Sequence, residues 1–376
     1  MAQLGQRTEL FDLVVIGGGP AGAAAAITAA RLDARTLLLE RGRFPRHKVC
    51  GEFISPEGLL LLEGLCAGCP SAMELLLGAP RIPRARFFLD CHDWDASLAP
   101  RAASIPRIDL DATLWEVART RGADARDSIA VSAIEGPAPF EVVTSAGSFL
   151  ARSVIDASGR WSALTPFQPE GSPASAAIWI GLKAHFREVD APSCVDLYFF
   201  EGGYCGVQPV GGDRVNACAM VRSDVARTLE QVFARHPGLW HRRRRWEPAT
   251  DPVATAPLVF RPPMPERGGI LYAGDAAGFI DPFAGDGISI ALCSGMMAAR
   301  ALQGVWSGKQ SLAEAAAGYQ VSYQRAFRPA FRNAAHLRRV TQMAQPWRRL
   351  LSGALRLPPV ARLLVDRTRA RIPTIT

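Results

Sequence analysis

The chain has 376 residues, of which 48% are hydrophobic and 21% are charged, so it is long enough for one large domain or two ordinary domains with sizeable cores. It carries a net charge of +8, and because lysine occurs only at positions 48, 183 and 309, nearly all of the positive charge is arginine. The sequence has no uninterrupted apolar stretch of about 18 residues and no secretory signal pattern at its N-terminus, which predicts a cytoplasmic protein without a transmembrane segment.

The cysteines, the histidines and the densest basic run indicate neither a metal site nor a nucleic-acid surface. Eight cysteines at irregular spacing are typical of reduced thiols, and the CxxC pair Cys66 and Cys69 lacks the second pair that a zinc site needs. The six histidines also lack the spacing of metal ligands. We interpret WHRRRRWEP (240–248) as a solvated helix end, and peripheral contact with a membrane stays open.

The chain begins with a predicted βαβ unit. FDLVVIGG (11–18) is an apolar run that ends in glycine, which indicates a buried parallel strand. A helix rich in alanine follows to about Ala30, and ARTLLLE (34–40) predicts a second strand. These three elements form a unit of about 30 residues, the usual length of one βαβ repeat.

A helix and two groups of strands are predicted in the middle of the chain. RIDLDATLWEVARTRGA (107–123) has apolar residues at helical spacing, with Asp109 as a candidate N-cap and Gly122 as the stop. Short alternating strands follow through residue 159. Residues 175–221 are rich in strands separated by glycine turns, which indicates an antiparallel sheet and a second domain.

The last third of the chain returns to the first pattern and then becomes helical. GGILYAGDA (268–276) predicts a strand that runs into a long helix from about Gly285. Residues 310–376 are predicted to be mostly helical, with four aromatic residues spaced by four along one face: Tyr319, Tyr323, Phe327 and Phe331. Such a stripe indicates core packing, or here the border of a substrate tunnel.

The strongest local signal is GGGPAG, which directly follows the first strand and opens a helix. Gly17 allows the tight turn, Gly19 lets a diphosphate approach the backbone N–H groups, and Gly22 lets the helix pack on the strand. Glu40 ends the second strand, where a carboxylate accepts hydrogen bonds from ribose hydroxyls. This arrangement predicts a bound dinucleotide, either NAD or FAD.

A second motif decides between the two dinucleotides by resemblance. GDAAGFIDPFAGDGI (274–288) resembles the second FAD motif of flavoproteins in the glutathione-reductase-2 group, which includes the p-hydroxybenzoate-hydroxylase-like aromatic hydroxylases, flavin-dependent halogenases and geranylgeranyl reductases. Arg107 and the segment DASGRWS (156–162) occur in the expected order between the two motifs. The resemblance covers most of the chain and implies FAD as the cofactor.

The resemblance also implies roles for individual residues. Asp275 would bind the ribityl chain, Pro282 would border the flavin ring, and the backbone of Gly285, Gly287 and Ile288 would stabilise negative charge on the reduced flavin. The other residues expected to contact the cofactor are Ala21, Arg41, Lys48, Gly51, Arg107 and Val131.

The chain departs from the sequence motifs of two branches of this flavoprotein group, which narrows the choice of branch. Aromatic hydroxylases usually carry an Asp-Gly pair where this chain has Ser158-Gly159, and often a histidine at the place of Gly278. Halogenases carry a WxWxIP segment and an activating lysine, whereas this chain has YCGVQP (204–209) and only arginines as basic residues in PRIPRARFF (80–88). Both branches therefore fit less well.

The geranylgeranyl-reductase branch resembles the chain most closely. The matching residues of its K-x-C-G segment and following Ser-Pro are Lys48, Cys50, Gly51, Ser55 and Pro56. A Y-x-W-x-F-P stretch is matched only in part, by Tyr204, Pro209 and then Asn216, since Gly206 and Gln208 replace its tryptophan and phenylalanine. We therefore expect a pocket of a different shape.

The predicted function is that of an FAD-dependent oxidoreductase acting on a hydrophobic small molecule. A reductase would transfer hydride from the flavin to a C=C bond, with Cys50 and Tyr204 as candidate proton donors or pocket-shaping groups. A monooxygenase would instead hydroxylate or epoxidise its substrate, and the sequence contains no acid/base pair that separates the two reactions. Because a second glycine-rich dinucleotide motif is missing, NAD(P)H would bind transiently, or a reductase or ferredoxin would supply electrons.

The predicted fold class is α/β, with a doubly wound FAD-binding sheet, an inserted antiparallel substrate sheet and C-terminal helices. We expect the FAD-binding domain to comprise residues 1–80, 100–165 and 265–330. The substrate-binding domain would comprise 81–99 and 166–264, and residues 331–376 would form a helical C-terminal segment.

Overall fold

The computed structural model describes residues 9–89, 92–160, 164, 178–255, 257–260 and 262–341. Residues 161–162 of the DASGRWS segment and the predicted helical residues beyond 341 lie outside this part. The helices are α1 (Pro20–Ala30), α2 (Pro56–Cys66), α3 (Pro70–Gly78), α4 (Arg107–Thr120), α5 (Leu229–Phe233), α6 (Pro237–Arg243), α7 (Gly287–Trp306) and α8 (Leu312–Thr341).

The strands of the described part form two sheets. In chain order they are β1 (Leu10–Ile16), β2 (Thr36–Leu39), β3 (Phe53–Ile54), β4 (Arg81–Leu89), β5 (His92–Ser104), β6 (Asp124–Arg126), β7 (Val131–Glu135), β8 (Phe140–Thr144), β9 (Gly147–Asp156), β10 (Trp179–Arg187), β11 (Val195–Phe200), β12 (Gly203–Gly211), β13 (Arg214–Arg222), β14 (Glu247–Pro248), β15 (Val253–Thr255), β16 (Glu266–Arg267) and β17 (Ile270–Tyr272).

The first sheet has a parallel centre in the order β17-β9-β1-β2-β6, with β7, β8 and β16 added antiparallel. The central strands β1 and β2 are buried almost throughout, as their continuous apolar sequences predicted. Parallel strands bring their carboxyl ends to one edge, where a nucleotide binds in folds of this class.

Two helices with small residues form the core beside this sheet. Nearly all of α1 is buried, and α7 approaches it so closely that a Cβ on Gly295 would lie 2.0 Å from the carbonyl oxygen of Ala21. In the described part, α7 is the one helix long and apolar enough to cross a membrane by length and composition, and 61% of its most apolar window is buried. Its packing is that of a core helix.

The second sheet has the order β14-β10-β13-β12-β11-β4-β5-β3, with β15 also paired to β10. Its pairs are antiparallel except for β11 with β4. Helices α5 and α6 cover one face, and their core includes Phe186, Phe233 and Trp246. The predicted α/β class, with a parallel sheet and a separate antiparallel sheet, is confirmed.

Two elements run across borders that the sequence analysis expected between segments. Strand β5 continues to Ser104, beyond the predicted border at residue 99, and β3 at residues 53–54 pairs with it. Helix α8 continues through the predicted border at residue 330 with Pro329 inside it, and Phe327, Ala330 and Ala334 pack in the core before and after the proline. The division into a cofactor-binding and a substrate-binding domain stays a prediction.

The aromatic stripe of α8 belongs to the core. Tyr319, Tyr323 and Phe327 are at most 1% exposed and pack in the core beside the first sheet. The hydroxyl of Tyr319 donates to the carbonyl of Tyr272, 2.8 Å away. The core alternative is therefore correct for this stripe, and none of these three residues borders the large cavity described below.

One local prediction was wrong and a second was wrong for one arginine, both for physical reasons. Asp109 does not cap α4; the helix begins at Arg107, whose backbone N–H donates to a carboxylate oxygen of the distant Glu52 at 2.8 Å. The basic run lies at the end of α6 as predicted, with Arg244 and Arg245 exposed, but Arg242 is buried because it donates to Glu188 and to Asp196. Both partners lie far away in sequence, so no local pattern indicated them.

Candidate active site

A cavity of roughly 750 Å³ lies between the two sheets. Its wall includes every predicted site residue except Gly22: Gly17, Gly19, Ala21, Glu40, Arg41, Lys48, Cys50, Gly51, Arg107, Val131, Tyr204, Asp275, Pro282, Gly285, Gly287 and Ile288. The fold thus brings together residues from six separate stretches of the chain around one space. A volume of this size is within the usual range of ligand and cofactor sites.

One end of the cavity is built by the turn between β1 and α1. Gly17 has a φ of 101°, a left-handed conformation that favours glycine. A Cβ on Gly22 would lie 1.8 Å from the carbonyl oxygen of Gly17, whereas a Cβ on Gly19 would meet within 4 Å only Arg107 Nη2, at 3.9 Å. Gly22 therefore serves helix packing, and Gly19 leaves open space over the start of α1.

Glu40 sits next to this turn at the end of β2. Its Oε2 accepts from the N–H of Gly18 at 2.8 Å and from Arg46 Nη2 at 2.9 Å, and its Oε1 accepts from the N–H of Gly42 at 2.9 Å. These bonds fix the carboxylate beside the cavity. The predicted contact of Glu40 with ribose hydroxyls stays a prediction, and the remaining lone pairs of its oxygens leave room for it.

The other end of the cavity is built by the start of α7. Gly285 precedes it with a φ of 70°, and no side chain caps the helix at Asp286. Gly287 and Ile288 line the cavity at the helix N-terminus, and a Cβ on Gly287 would meet no atom within 4 Å. Helix α1 likewise begins without a side-chain cap. The cavity thus connects two helix N-termini, each of which favours negative charge.

The wall between these ends carries basic side chains. Arg107 pairs with Asp111 at 2.7 Å; burial lowers the pKa of its guanidinium, but the charge and hydrogen bonds of Asp111 outweigh burial and raise it. Burial, together with the charges of Arg46 and Arg107, lowers the pKa of Lys48 to about 8. Among the described residues, no carboxylate forms an ion pair with the Lys48 ammonium.

These features fit an elongated dinucleotide with a diphosphate at its middle. The open backbone at Gly19, the basic wall and the buried Nε of Arg46, which has no partner among the described residues, suit an anionic group near α1. The uncapped start of α7 suits a ring that gains negative charge on reduction. The donor set of the cavity therefore fits FAD.

Comparisons with known proteins identify the class. A family model described as FAD dependent oxidoreductase matches residues 12–45, the segment from β1 to the loop after β2. The chain is 25% identical over 315 residues to a menaquinone reductase of Mycolicibacterium smegmatis, covering 77% of this chain and 75% of the relative. It is 27% identical over 322 residues to a digeranylgeranylglycerophospholipid reductase of Thermoplasma volcanium, covering 78% of each. The chain is an FAD-dependent oxidoreductase.

The fold of this oxidoreductase is shared with flavin-dependent halogenases. A solved flavin-dependent brominase superposes with a TM-score of 0.78 at 20% identity, covering 96% of this chain and 93% of that chain. Identity at this level shows the fold alone. The predicted likeness to the flavoprotein group and to its geranylgeranyl-reductase branch is confirmed by the reductase relatives, while the halogenase likeness extends over the whole architecture.

One face of the second sheet forms the side of the cavity opposite the two helix N-termini. The strand register aligns three rows across this face: Phe199, Tyr204, Met220 and Gly181; Leu197, Gly206, Cys218 and Lys183; and Gln208, Asn216 and His185. The first row is mostly apolar and the third is polar. The oxidoreductase therefore offers an apolar wall that becomes polar toward the loop at residues 48–52.

Tyr204 is the polar group in the apolar row. Its ring lies between Phe199 and Phe283, with ring centroids 5.8 and 5.9 Å away. The hydroxyl is buried and has no hydrogen-bond partner among the described residues. Burial raises the pKa of Tyr204 well above its usual value, so the hydroxyl is protonated at neutral pH and is available as a donor.

The sequence analysis missed a cluster of polar residues at the third row. Glu52 lines the cavity and is completely buried, with Lys183 and His185 as partners. Asn216, which the sequence analysis noted only as part of a motif, donates to the carbonyls of Cys50 and Gly51 at 3.0 and 2.8 Å. The alternation of β10 places Lys183 and His185 on one face, but nothing local indicates Glu52, which lies 131 residues before Lys183 and 133 residues before His185.

We expect FAD to bind more weakly as the pH rises above about 8, because the ammonium of Lys48 then loses its charge. One lost proton weakens binding by at most about tenfold per pH unit. Fluorescence titration of the FAD-free oxidoreductase between about pH 6.5 and 9.5 measures this dependence. The Lys48→Arg variant keeps its charge and should show a flat profile; a profile as steep as that of the unmodified protein would contradict the role of Lys48.

Proposed function

We propose that this oxidoreductase is a reductase that adds hydrogen across a carbon–carbon double bond of a hydrophobic, lipid-like molecule. The observation that carries the proposal is the apolar wall of the cavity with one buried hydroxyl, that of Tyr204, which has no hydrogen-bond partner among the described residues. The relatives named for menaquinone and for digeranylgeranylglycerophospholipid support a substrate with an unsaturated isoprenoid chain.

The shape of the wall supports a flat or branched group. A Cβ on Gly206 would meet only Leu197 Cδ2 at 3.4 Å and the Cys218 carbonyl oxygen at 3.8 Å within 4 Å, so the strand leaves a niche there. Phe87 and Met220 border the same space. Apolar side chains around a niche of this kind hold an alkene by contact and exclude water from it.

The reaction divides between the cofactor and the chain. The residues at the two ends of the cavity would hold FAD, which when reduced would supply a hydride to one carbon of the double bond. Tyr204 donates its hydroxyl proton to the other carbon, so that hydride and proton together saturate the bond, and the hydroxyl is restored by a proton from water. Phe199 and Phe283 hold the phenol ring in place for that transfer.

The cofactor contacts of the proposal follow the two ends of the cavity. Gly17, Gly19, Ala21, Lys48 and Arg107 would hold the diphosphate at the start of α1. The ribose and adenine would lie near Glu40, Arg41 and Val131, and Asp275 would bind the ribityl chain. The flavin ring would lie against Gly51, Pro282, Gly285, Gly287 and Ile288.

The electrons are proposed to come from NAD(P)H that binds transiently, or from a reductase or ferredoxin. The sequence supports this because GxGxxG at the start of α1 is its one glycine-rich dinucleotide motif. Stopped-flow mixing of the oxidised protein with NADH, NADPH and reduced ferredoxin would identify the donor by the loss of flavin absorbance.

The same dry wall favours a second candidate, a monooxygenase that hydroxylates or epoxidises a hydrophobic substrate. Halogenation is less well supported, because the residues of β4 that line the cavity are Ala85 and Phe87. Arg86, between them, is paired with Asp196 on the opposite face of the sheet. A lysine that activates an oxidised halide is therefore missing from this strand.

One experiment separates the reductase from the monooxygenase. The reduced protein is mixed with a panel of prenyl lipids and prenylquinones, once without oxygen and once with ¹⁸O₂, and the products are analysed by mass spectrometry. The proposal expects an added hydrogen pair in the anaerobic sample. Product that forms only with oxygen and carries ¹⁸O would establish the monooxygenase instead.

Cys50→Ala should retain FAD and change turnover. Cys50 lines the cavity, and its sulfur accepts from the N–H of Glu52, at 3.3 Å, and interacts with the Arg107 side chain. Its backbone carbonyl accepts from Asn216, so a smaller side chain leaves the backbone in place. We expect kcat/KM to fall by about tenfold, or about 1.4 kcal/mol of transition-state stabilisation. Steady-state kinetics and the flavin spectrum test this, and unchanged turnover would remove Cys50 from the reacting end of the cavity.

A further inference from the structure

The buried carboxylate of Glu52 is an unusual feature of the cavity wall. Its backbone has a φ of 61°, in the left-handed region that residues other than glycine rarely adopt. The residue is 0% exposed and yet carries an ionisable side chain. Such a conformation persists where the surrounding contacts fix it, and conformations of this kind are concentrated at binding sites.

Glu52 is held by residues from two distant parts of the chain. Its Oε1 accepts from the N–H of Arg107 at 2.8 Å and from the ammonium of Lys183, and its Oε2 accepts from His185 Nε2 at 2.7 Å. Its carbonyl oxygen accepts from the N–H of Ile105 at 3.1 Å. The carboxylate thereby joins the start of α4 to strand β10 of the second sheet.

The electrostatics of the cluster keep Glu52 ionised. Burial alone would raise the pKa of its carboxyl, but the hydrogen bond from His185 and the charge of Lys183 outweigh burial and lower it. The negative charge is thus matched by at least one buried positive charge. A buried carboxylate without such partners would be strongly unfavourable.

The loop before Glu52 is fastened to the same sheet. Asn216 donates to the carbonyls of Cys50 and Gly51, and Lys183 donates to the carbonyl of Lys48 at 3.4 Å. A Cβ on Gly51 would meet no atom within 4 Å, so this stretch faces the open cavity. The backbone of residues 48–52 therefore forms a wall whose position depends on side chains of β10 and β13.

We propose that Glu52 is a positioning residue: by tying the start of α4 to β10, it sets the place of the Cys50–Gly51 wall against the bound flavin. The proposal rests on FAD occupying the cavity and not on the reaction that follows. Glu52, Lys183 and His185 would thus affect the position of the bound cofactor, because the backbone that they hold lines the cavity and is not merely part of the core.

The chain offers a matched control on the opposite face of the second sheet. Glu188 is also buried, at 5% exposure, and accepts from Arg242 Nη2 at 2.8 Å. It lies under α6 and does not line the cavity. Replacing either glutamate by glutamine removes one buried negative charge that is paired with buried basic side chains. Both variants should therefore lose stability, and only the effect on the cavity should differ between them.

The test compares Glu52→Gln with Glu188→Gln by thermal unfolding, FAD titration and the flavin absorption spectrum. We expect both variants to unfold at lower temperature. Only Glu52→Gln should bind FAD about tenfold or more weakly, as loss of a supporting contact typically does, and should shift the flavin absorption bands. Equal spectra and equal FAD affinity in both variants would overturn the proposal.

A second variant tests the position of the Cys50–Gly51 wall if Glu52→Gln does not fold. Asn216→Ser removes the two bonds to the Cys50 and Gly51 carbonyls without leaving a charge unpaired. We expect it to fold and to shift the flavin bands in the same direction. A wild-type spectrum with wild-type FAD affinity in Asn216→Ser would show that the wall keeps its place without these contacts. None of these measurements needs a substrate, so a wrong assignment of the reaction would not change their outcome.

Discussion

Gly19→Leu should fold normally and purify without FAD. Gly19 has a φ of −76° and a ψ of −176°, a conformation that leucine adopts without strain. Its side chain would extend into the cavity, since Arg107 Nη2 at 3.9 Å is the sole described atom near the added Cβ. It would occupy the space where the diphosphate approaches the start of α1. We expect FAD affinity to fall by more than about 1,000-fold, or about 4 kcal/mol.

Two other glycine substitutions make this result interpretable. Gly22→Leu should fail to fold, because its Cβ would overlap the carbonyl oxygen of Gly17 at 1.8 Å. Gly64→Leu, on the exposed side of α2 where a Cβ meets no atom within 4 Å, should keep both fold and FAD. Absorbance of the purified proteins near the flavin bands and circular dichroism distinguish the three. A yellow Gly19→Leu protein would place the diphosphate elsewhere.

The cofactor half of the site was predictable because its signals are local. The glycine spacing after β1 and the acid at the end of β2 each follow from what a strand, a turn and a helix need in order to meet a phosphate. The second motif, from Gly274 to Ile288, is also continuous in sequence. Local geometry therefore decides where these residues lie, and the fold only has to bring the two motifs to one cavity.

The polar cluster around Glu52 could not be predicted from local sequence in the same way. Glu52 and Lys183 are separated by 131 residues, and Glu52 replaces the local N-cap that Asp109 was expected to provide. The buried ion pairs of Arg242 likewise join α6 to Glu188 and to β11. A charged residue within a run of charged residues has the same sequence pattern whether it is solvated or buried. Its burial is therefore decided by its partners in the tertiary structure.

Tyr204→Phe should remove most of the proposed reductase activity and leave FAD binding intact. The hydroxyl is the buried donor without a described partner in the apolar row, and a positioned general acid contributes about 10²- to 10⁴-fold to the rate. We expect kcat to fall by about 100-fold or more. Because burial raises the pKa of Tyr204 well above its usual value, no loss of activity assigned to this phenol should occur between about pH 6 and 9.

Tyr198→Phe is the matched control, since Tyr198 lies on β11 with its hydroxyl 3.5 Å from Arg242 on the opposite face of the same sheet. Anaerobic mixing of each reduced variant with a prenyl substrate, followed at the flavin bands, measures the rate of reoxidation in H₂O and in D₂O. Tyr204→Phe should be reoxidised slowly, and its solvent isotope effect should differ from that of the unmodified protein. Tyr198→Phe should match the unmodified protein in both the rate and the isotope effect.

If Tyr204→Phe were reoxidised at the normal rate, the proton would come from another source and the phenol would contribute to the apolar wall by packing alone. The same cavity would then need a donor from its polar row, where Gln208, bonded to Ser104 at 2.5 Å, also lines the space.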